Sequence, residues 1–179
     1  MVIKKSIMKT KIIELLNRAV KDELSAIHQY LYFHFHCDDQ GFDLLANLFK
    51  RTAIEEMQHV EKLADRILFL KGDVEMQAGE NIEKIKTPKD MLMFASKMES
   101  QSVGEYNMFA AECTALSDAV SRQLFESLAA EEERHYDQYQ REVENIQNYG
   151  DQYLVLQSIE RSKKSTKITQ HSSSVKNYL

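Results

Sequence analysis

Proline occurs once, at Pro88, glycine five times and tryptophan not at all in these 179 residues. So few chain breakers exclude a loop-rich or all-β architecture, whose turns draw heavily on Gly and Pro. Cys37 and Cys113 are the only cysteines. They are too few for a disulfide framework and lack the C-x-x-C spacing of zinc or redox sites, so both read as free thiols. No apolar run approaches the roughly 18 residues of a membrane span. The opening MVIKKSIMKT has lysines but no apolar stretch behind them to act as a secretory signal. A soluble, cytoplasmic protein with no membrane partner is expected. Basic residues are concentrated at the end: residues 161–179 carry five and no acid, so the net charge of −5 leaves −10 on the rest. That acidic body argues against nucleic acid as a partner and for cations.

What is abundant is helix-forming: Leu, Ala, Glu, Lys, Gln and Met. One all-α domain follows at this length. Apolar residues at three-to-four spacing run from about Ile12 to Cys37 and break at Asp38-Asp39-Gln40-Gly41. A second helix is expected from about Asp43 to Leu70, with Gly72 as the glycine after its end. Residues 73–86 lack a period. Thr87-Pro88-Lys89-Asp90 supplies an N-cap and a proline at the first helical position, opening a third helix to about Leu116. Ser117-Asp118 starts a fourth that ends at Tyr149-Gly150, and 151–160 reads as a short fifth. The division expected is a helical domain over 1–160 and a mobile, basic, Ser-rich tail over 161–179.

Short breaks make helices one and two antiparallel, and three and four likewise. The link between the pairs is different: about 15 extended residues reach roughly 50 Å, and a helix of about 28 residues is roughly 42 Å long. The link can therefore cross the whole bundle, which is the four-helix arrangement with one long crossover.

The chain also repeats itself at an offset of 76 residues. Glu23 recurs as Glu99, Glu56 as Glu132 and His59 as His135; Tyr30, Phe33, Phe49 and Ala53 recur as Tyr106, Phe109, Phe125 and Ala129. The offset carries Gly41 onto Ser117, so all four glutamates lie at one level near mid-bundle. Glu23 is flanked at helical spacing by Leu16, Ala19, Ile27 and Tyr30, and Glu56 by Phe49, Ala53, Val60 and Leu63; their copies are flanked alike. Both glutamates of each half thus face inward, and each histidine shares a face with the glutamate three residues before it. Four buried carboxylates without counter-charge would cost many kcal/mol or take up protons. Two divalent cations balance them, and mixed oxygen and imidazole donors suit iron or manganese, with zinc a competitor. The bland alternative is a polar seam that sets helix register and binds nothing.

These motifs resemble those of the bacterioferritins, in the ferritin-like di-iron family. The resemblance spans residues 9–160 and rests on Glu23 with the following HQY, IEEMQH at 54–59, RILFLKG at 66–72, Glu99 and EEERH at 131–135. It implies an intrasubunit ferroxidase centre in which Glu56 and Glu132 bridge two irons. Glu23 with His59, and Glu99 with His135, complete the ligands. It further implies oxidation of Fe(II) by O₂ or H₂O₂ and storage of Fe(III) mineral in a 24-subunit shell of two-fold dimers. A ferredoxin-type reductase would serve iron release. Tyr30 resembles the family's near-site tyrosine, and Met57 its axial haem ligand, a haem b shared between two subunits. Where some members carry an interior His and Asp, this chain has Arg51 and Glu55, which argues against an additional iron site there. The alternative from another class is a non-storing di-metal oxidoreductase, peroxidase or manganese-catalase-like; lack of a C-x-x-C module weakens its rubrerythrin version.

Overall fold

The structure is a computed structural model that describes residues 2–150, 152–156 and 159. Four helices make it up: α1 (Val2–Asp39), α2 (Asp43–Phe69), α3 (Pro88–Ala115) and α4 (Ala119–Tyr149). α1 begins at Val2 rather than near Ile12. The apolar period marks only the part of a helix that is buried, and no Gly or Pro stops it from running on past the core; Ile7, in that extension, is 63% exposed. Residues 152–156 are helical, and Tyr153 and Leu154 pack against the core. The bounds of the fifth helix, and the tail 161–179, lie outside the described residues.

The duplication reaches the backbone of the turns. At the end of α1, the amide of Gly41 donates to the Asp38 carbonyl at 3.0 Å and that of Phe42 to Cys37 at 2.9 Å. At the end of α3, Ser117 donates to Thr114 at 3.0 Å and Asp118 to Cys113 at 2.9 Å. Both are Schellman closures, with Gly41 (φ 83°) and Ser117 (φ 60°) in the left-handed conformation. α2 closes the same way, but here the expectation needs correcting: the left-handed residue is Lys71 (φ 57°), not Gly72. Glycine is required at 72 for space, since a Cβ there would stand 2.8 Å from Ile13 Cγ2 and 3.0 Å from Ile67 Cγ2.

The crossover runs along α1 from one end of the bundle to the other, tied by polar side chains at helical spacing. Asn17 donates to the Asp73 carbonyl and accepts from the Glu75 amide, at 2.9 and 3.0 Å. Ser25 Oγ accepts from the amides of Gly79 and Glu80, and Gln29 both accepts from the Glu83 amide and donates to its carbonyl. Buried Asn17, Ser25 and Gln29 thus supply an irregular strand with the partners that a helix or sheet would otherwise give it. The chain then enters α3 close to the C-terminal end of α1. Contacts between the two helices (Cys37 with Met91, Tyr30 with Glu99, Glu23 with Tyr106) show that they run antiparallel.

The apolar interior is divided. One cluster gathers Leu16 and Ala19 with Tyr106, Phe109, Cys113, Phe125 and Ala129. The other gathers Tyr30, Phe33, Cys37, Phe49 and Ala53 with Leu92 and Ala95. Each residue named in one has its copy 76 positions away in the other, so the two cores are pseudo-symmetric and the central layer between them is left to polar groups. Cys37 and Cys113 are buried, free thiols in opposite clusters, and burial pushes them up to about 12 and about 11 respectively.

Two substitutions separate the two demands on the turns. Ser117→Gly, which removes a side chain from left-handed backbone, should raise stability by about 0.5–1 kcal/mol. Gly72→Ala should lower it by about 1–3 kcal/mol through overpacking against Ile13 and Ile67. Denaturant midpoints measure both, and a stabilised Gly72→Ala would refute the packing account.

Candidate metal centre

Each of the four helices sends a glutamate into the central layer, and α2 and α4 add a histidine one turn later. Glu23, Glu56, Glu99 and Glu132 are at most 3% exposed, and His59 and His135 are fully buried. Two overlapping donor sets result: Glu23, Glu56, His59 and Glu132, and then Glu56, Glu99, Glu132 and His135, each with ligand atoms within 4.8 Å of one another. Glu56 and Glu132 belong to both. Every residue of the expected hexad is therefore brought to one place, with the two middle glutamates common to the two halves.

Inside the cluster His135 Nδ1 and Glu132 Oε2 form a hydrogen bond at 2.9 Å, but the contacts around Glu56 and His59 are close and badly directed for hydrogen bonds. His59 Nδ1 lies 2.7 Å from Glu56 Oε2, 3.0 Å from Glu132 Oε1 and 3.3 Å from Glu23 Oε1. Even so, both Glu56 oxygens, Glu132 Oε1 and His59 Nδ1 lack a hydrogen-bond partner of acceptable geometry. Lone pairs that converge on shared points instead of on donors are what a metal ligand set requires, whereas a polar seam would pair them off. The residues present fit two cations on this ground and on their charge.

Outside the hexad, each imidazole is held by a carboxylate from the other half. His59 Nε2 is 3.0 Å from Glu131 Oε2, and Glu131 Oε1 accepts from Lys62 at 2.7 Å. His135 Nε2 is 2.7 Å from Glu55 Oε2, which also accepts from Arg134 at 3.0 Å. A carboxylate on Nε2 keeps the proton there and turns the Nδ1 lone pair inward, the tautomer that binds metal. Glu55 and Glu131 are 76 positions apart, so the supporting pair was present in the repeat, but their role depends on reach between α2 and α4. Glu55 is committed to His135 and Arg134, and Arg51 donates to Gln138 at 2.9 Å.

Without cations the outer glutamates and both imidazoles retain protons. Burial, then the charges of Glu132 and Glu56, raises Glu23 well above the usual carboxylate range. Burial followed by the same two charges does so for Glu99. Burial also works to raise Glu132, but the hydrogen bond from His135 and the His59 ring beside it hold it down to about 2. For the imidazoles, burial disfavours the charged form and the surrounding carboxylates more than offset it: Glu132 and Glu56 raise His135 to about 10, and His59 is raised by Glu132, Glu23 and Glu56. Two protonated rings stacked at 5.8 Å are an uneasy arrangement, and divalent cations would relieve it by displacing the protons.

The remaining candidates fall in different places. Tyr30, on the Glu23 face of α1, reaches across to α3 and donates to Glu99 Oε1 at 2.6 Å. Its ring packs on Phe49 and Tyr139, with centroids 6.3 and 5.6 Å away. Met57 stays out of the cluster, 54% exposed on the outer side of α2 beside Ile54, 44% exposed on the same face. A cavity of about 380 Å³ between α1, the crossover and α3 is lined by Asp22, Gln29, Glu83, Lys97, Glu105 and Tyr106, the last of which donates to Glu23.

Comparison with known proteins identifies the family and the fold. The ferritin-like domain family matches residues 13–149. The bacterioferritin of Desulfovibrio desulfuricans is 35% identical over 146 residues, 82% of each chain. That of Rhodobacter capsulatus is 33% identical over 147 residues, 82% of this chain and 91% of the relative. Solved structures of the two superpose with TM-scores of 0.84 and 0.80, covering 86% and 83% of this chain and 90% and 93% of theirs, at 33% and 32% identity. The first is described with its diiron site in different catalytic states, the second with a metal-free dinuclear site and a heme iron in a crystallographic special position.

Metal binding to such a site is linked to folding. Co(II) at a thousandfold excess over its Kd should stabilise the protein by about 4 kcal/mol for each ion bound, seen as a rise in melting temperature that Glu56→Ala/Glu132→Ala abolishes. An equal rise in both proteins would remove the cluster as the binding site.

Proposed function

The chain belongs to the ferritin-like family, among the bacterioferritins, and we propose that each subunit oxidises Fe(II) at a di-iron centre and stores the Fe(III) as mineral. The observation that carries this reading is the convergence of four buried carboxylates and two oriented imidazoles in two overlapping sets. Glu56 and Glu132, common to both donor sets, would serve both ions; Glu23 with His59 would hold one of them, and Glu99 with His135 the other. Bound as a pair, the irons supply one electron each, so a single O₂ or H₂O₂ accepts two electrons together. Around them the chain excludes water with its two apolar clusters. Glu131 and Glu55 fix the imidazole tautomers. Tyr30, one hydrogen bond from the second half through Glu99, is placed to give a further electron.

Storage requires a shell, and a 24-subunit assembly built from two-fold dimers is the form proposed. A haem b fits the outer face of α2, where Met57 offers an exposed soft sulfur next to apolar Ile54. The repeat places Glu133, not a methionine, at the matching position of α4. One chain therefore offers one sulfur on this face, and a symmetric axial pair needs Met57 from a second copy. Iron release would call on a reductase of the ferredoxin type. No described helix is long and apolar enough to cross a membrane. Residues 1–160 form the iron-handling domain, with 161–179 as an appended basic tail.

Replacing Glu56 and Glu132 together by Ala should slow Fe(II) oxidation by at least roughly 100-fold, followed by absorbance of Fe(III) after mixing with O₂ or H₂O₂; unchanged kinetics would overturn the site. Met57→Leu should remove the haem Soret band while leaving the oxidation rate intact. A purified unmodified protein without a Soret band would overturn the haem assignment and leave the di-iron reading standing.

A further inference from the structure

The two halves of the centre are tied to each other by phenols as well as by carboxylates. Tyr106 donates its hydroxyl to Glu23 Oε1 at 2.5 Å, and Tyr30 donates to Glu99 Oε1 at 2.6 Å. Both tyrosines and both glutamates are related by the 76-residue offset, and in each pair the phenol comes from the half of the chain that does not supply its glutamate. Tyr106 is 1% exposed and packs on Phe109 and Phe125, with centroids 6.2 and 5.9 Å away. The oxygen it holds also lies 3.3 Å from His59 Nδ1. A phenylalanine would fill the same space in this cluster, so the hydroxyl answers to the carboxylate and not to packing.

We propose that Tyr106 is a positioning residue for the first half-site, fixing the Glu23 carboxylate for the ion that Glu23 and His59 would hold. It does there what Tyr30 does for Glu99 in the second. A hydrogen bond from a phenol to a carboxyl oxygen is directional and becomes charge-assisted when the carboxyl ionises to take a metal, so Glu23 is held in one orientation before any metal arrives. The need is greater on this side. Tyr106, bonded to Glu23, lines the 380 Å³ cavity that opens between α1, α3 and the crossover, whereas Tyr30 packs between Phe49 and Tyr139. Without the Tyr106 hydroxyl, Glu23 can swing toward that space. The inference rests on the di-metal reading above.

Titration of the metal-free full chain with Co(II), followed by its visible ligand-field bands, tests it. The unmodified protein should take up two Co(II) per chain in two resolvable steps. Tyr106→Phe should weaken one step by roughly 10- to 100-fold and shift its bands, leaving the other step in place. Tyr30→Phe should do the same to the other step. Tyr139→Phe, a buried phenol not bonded to any of the six glutamate and histidine side chains, should alter neither and controls for loss of a core hydroxyl. Melting temperatures of the metal-free variants report packing separately. Unchanged affinity and bands in Tyr106→Phe, or an equal loss in both steps, would overturn the proposal while the di-metal reading stands. An unmodified protein that binds no Co(II) would overturn both.

Discussion

Four carboxylates held at one level inside an apolar bundle are the constraint to which the remaining structure conforms. An ionised carboxylate without partners in such a place costs several kcal/mol, and neighbours of like charge add to that. The bundle answers with a complete central layer: two imidazoles between the glutamates, two phenols on the outer glutamates, and two further carboxylates behind the imidazoles. Apolar clusters close it from both ends. The layer also explains how the halves associate. α1 packs closely on α2 and α3 on α4, while across the other two faces, α1 with α3 and α2 with α4, the centre supplies polar ties such as Tyr106 to Glu23 and His135 to Glu55.

The repeat gives this layer an approximate two-fold symmetry that extends from side chains to backbone. Gly41 and Ser117 adopt the same left-handed turn, although only one of them is glycine; turn geometry is set by the helices it joins, and serine tolerates the strain. Symmetry is broken where the halves face different surroundings. Met57 on the outer face has Glu133 as its copy, and Tyr139 in one apolar cluster has Leu63 in the other. A cavity reaches Tyr106 but not Tyr30. The centre is thus a duplicated site in an environment that is not duplicated.

Much of this could be read before any coordinates. Helix starts and stops came within a few residues at Asp43, Thr87, Asp118 and Gly150 because caps and breakers act locally. α1 was read too short because periodicity records burial and not helicity. A glycine after a helix end ordinarily marks the left-handed residue, but Gly72 is needed for its smallness against Ile13, a residue 59 positions earlier. Asn17, Ser25 and Gln29 carried no signal that they would bind the crossover, since polar residues on a helix ordinarily face water. Glu55 and Glu131 were visible as a repeated pair without a role.

By itself the sequence determined the helices, the facing of Glu23, Glu56, Glu99 and Glu132, the pairing of His59 and His135 with the glutamates one turn before them, and the common level of all six. These follow from the 3.6-residue period and from distances counted to the turns, which are properties of one helix or one hairpin. Only the tertiary structure decided which half each outer group would serve. Tyr30 belongs to Glu99, Tyr106 to Glu23, Glu131 to His59 and Glu55 to His135, because antiparallel packing of α1 on α3 and of α2 on α4 brings each residue to the opposite copy. Partnership across helices depends on how separate elements are placed relative to one another, and no local spacing encodes that.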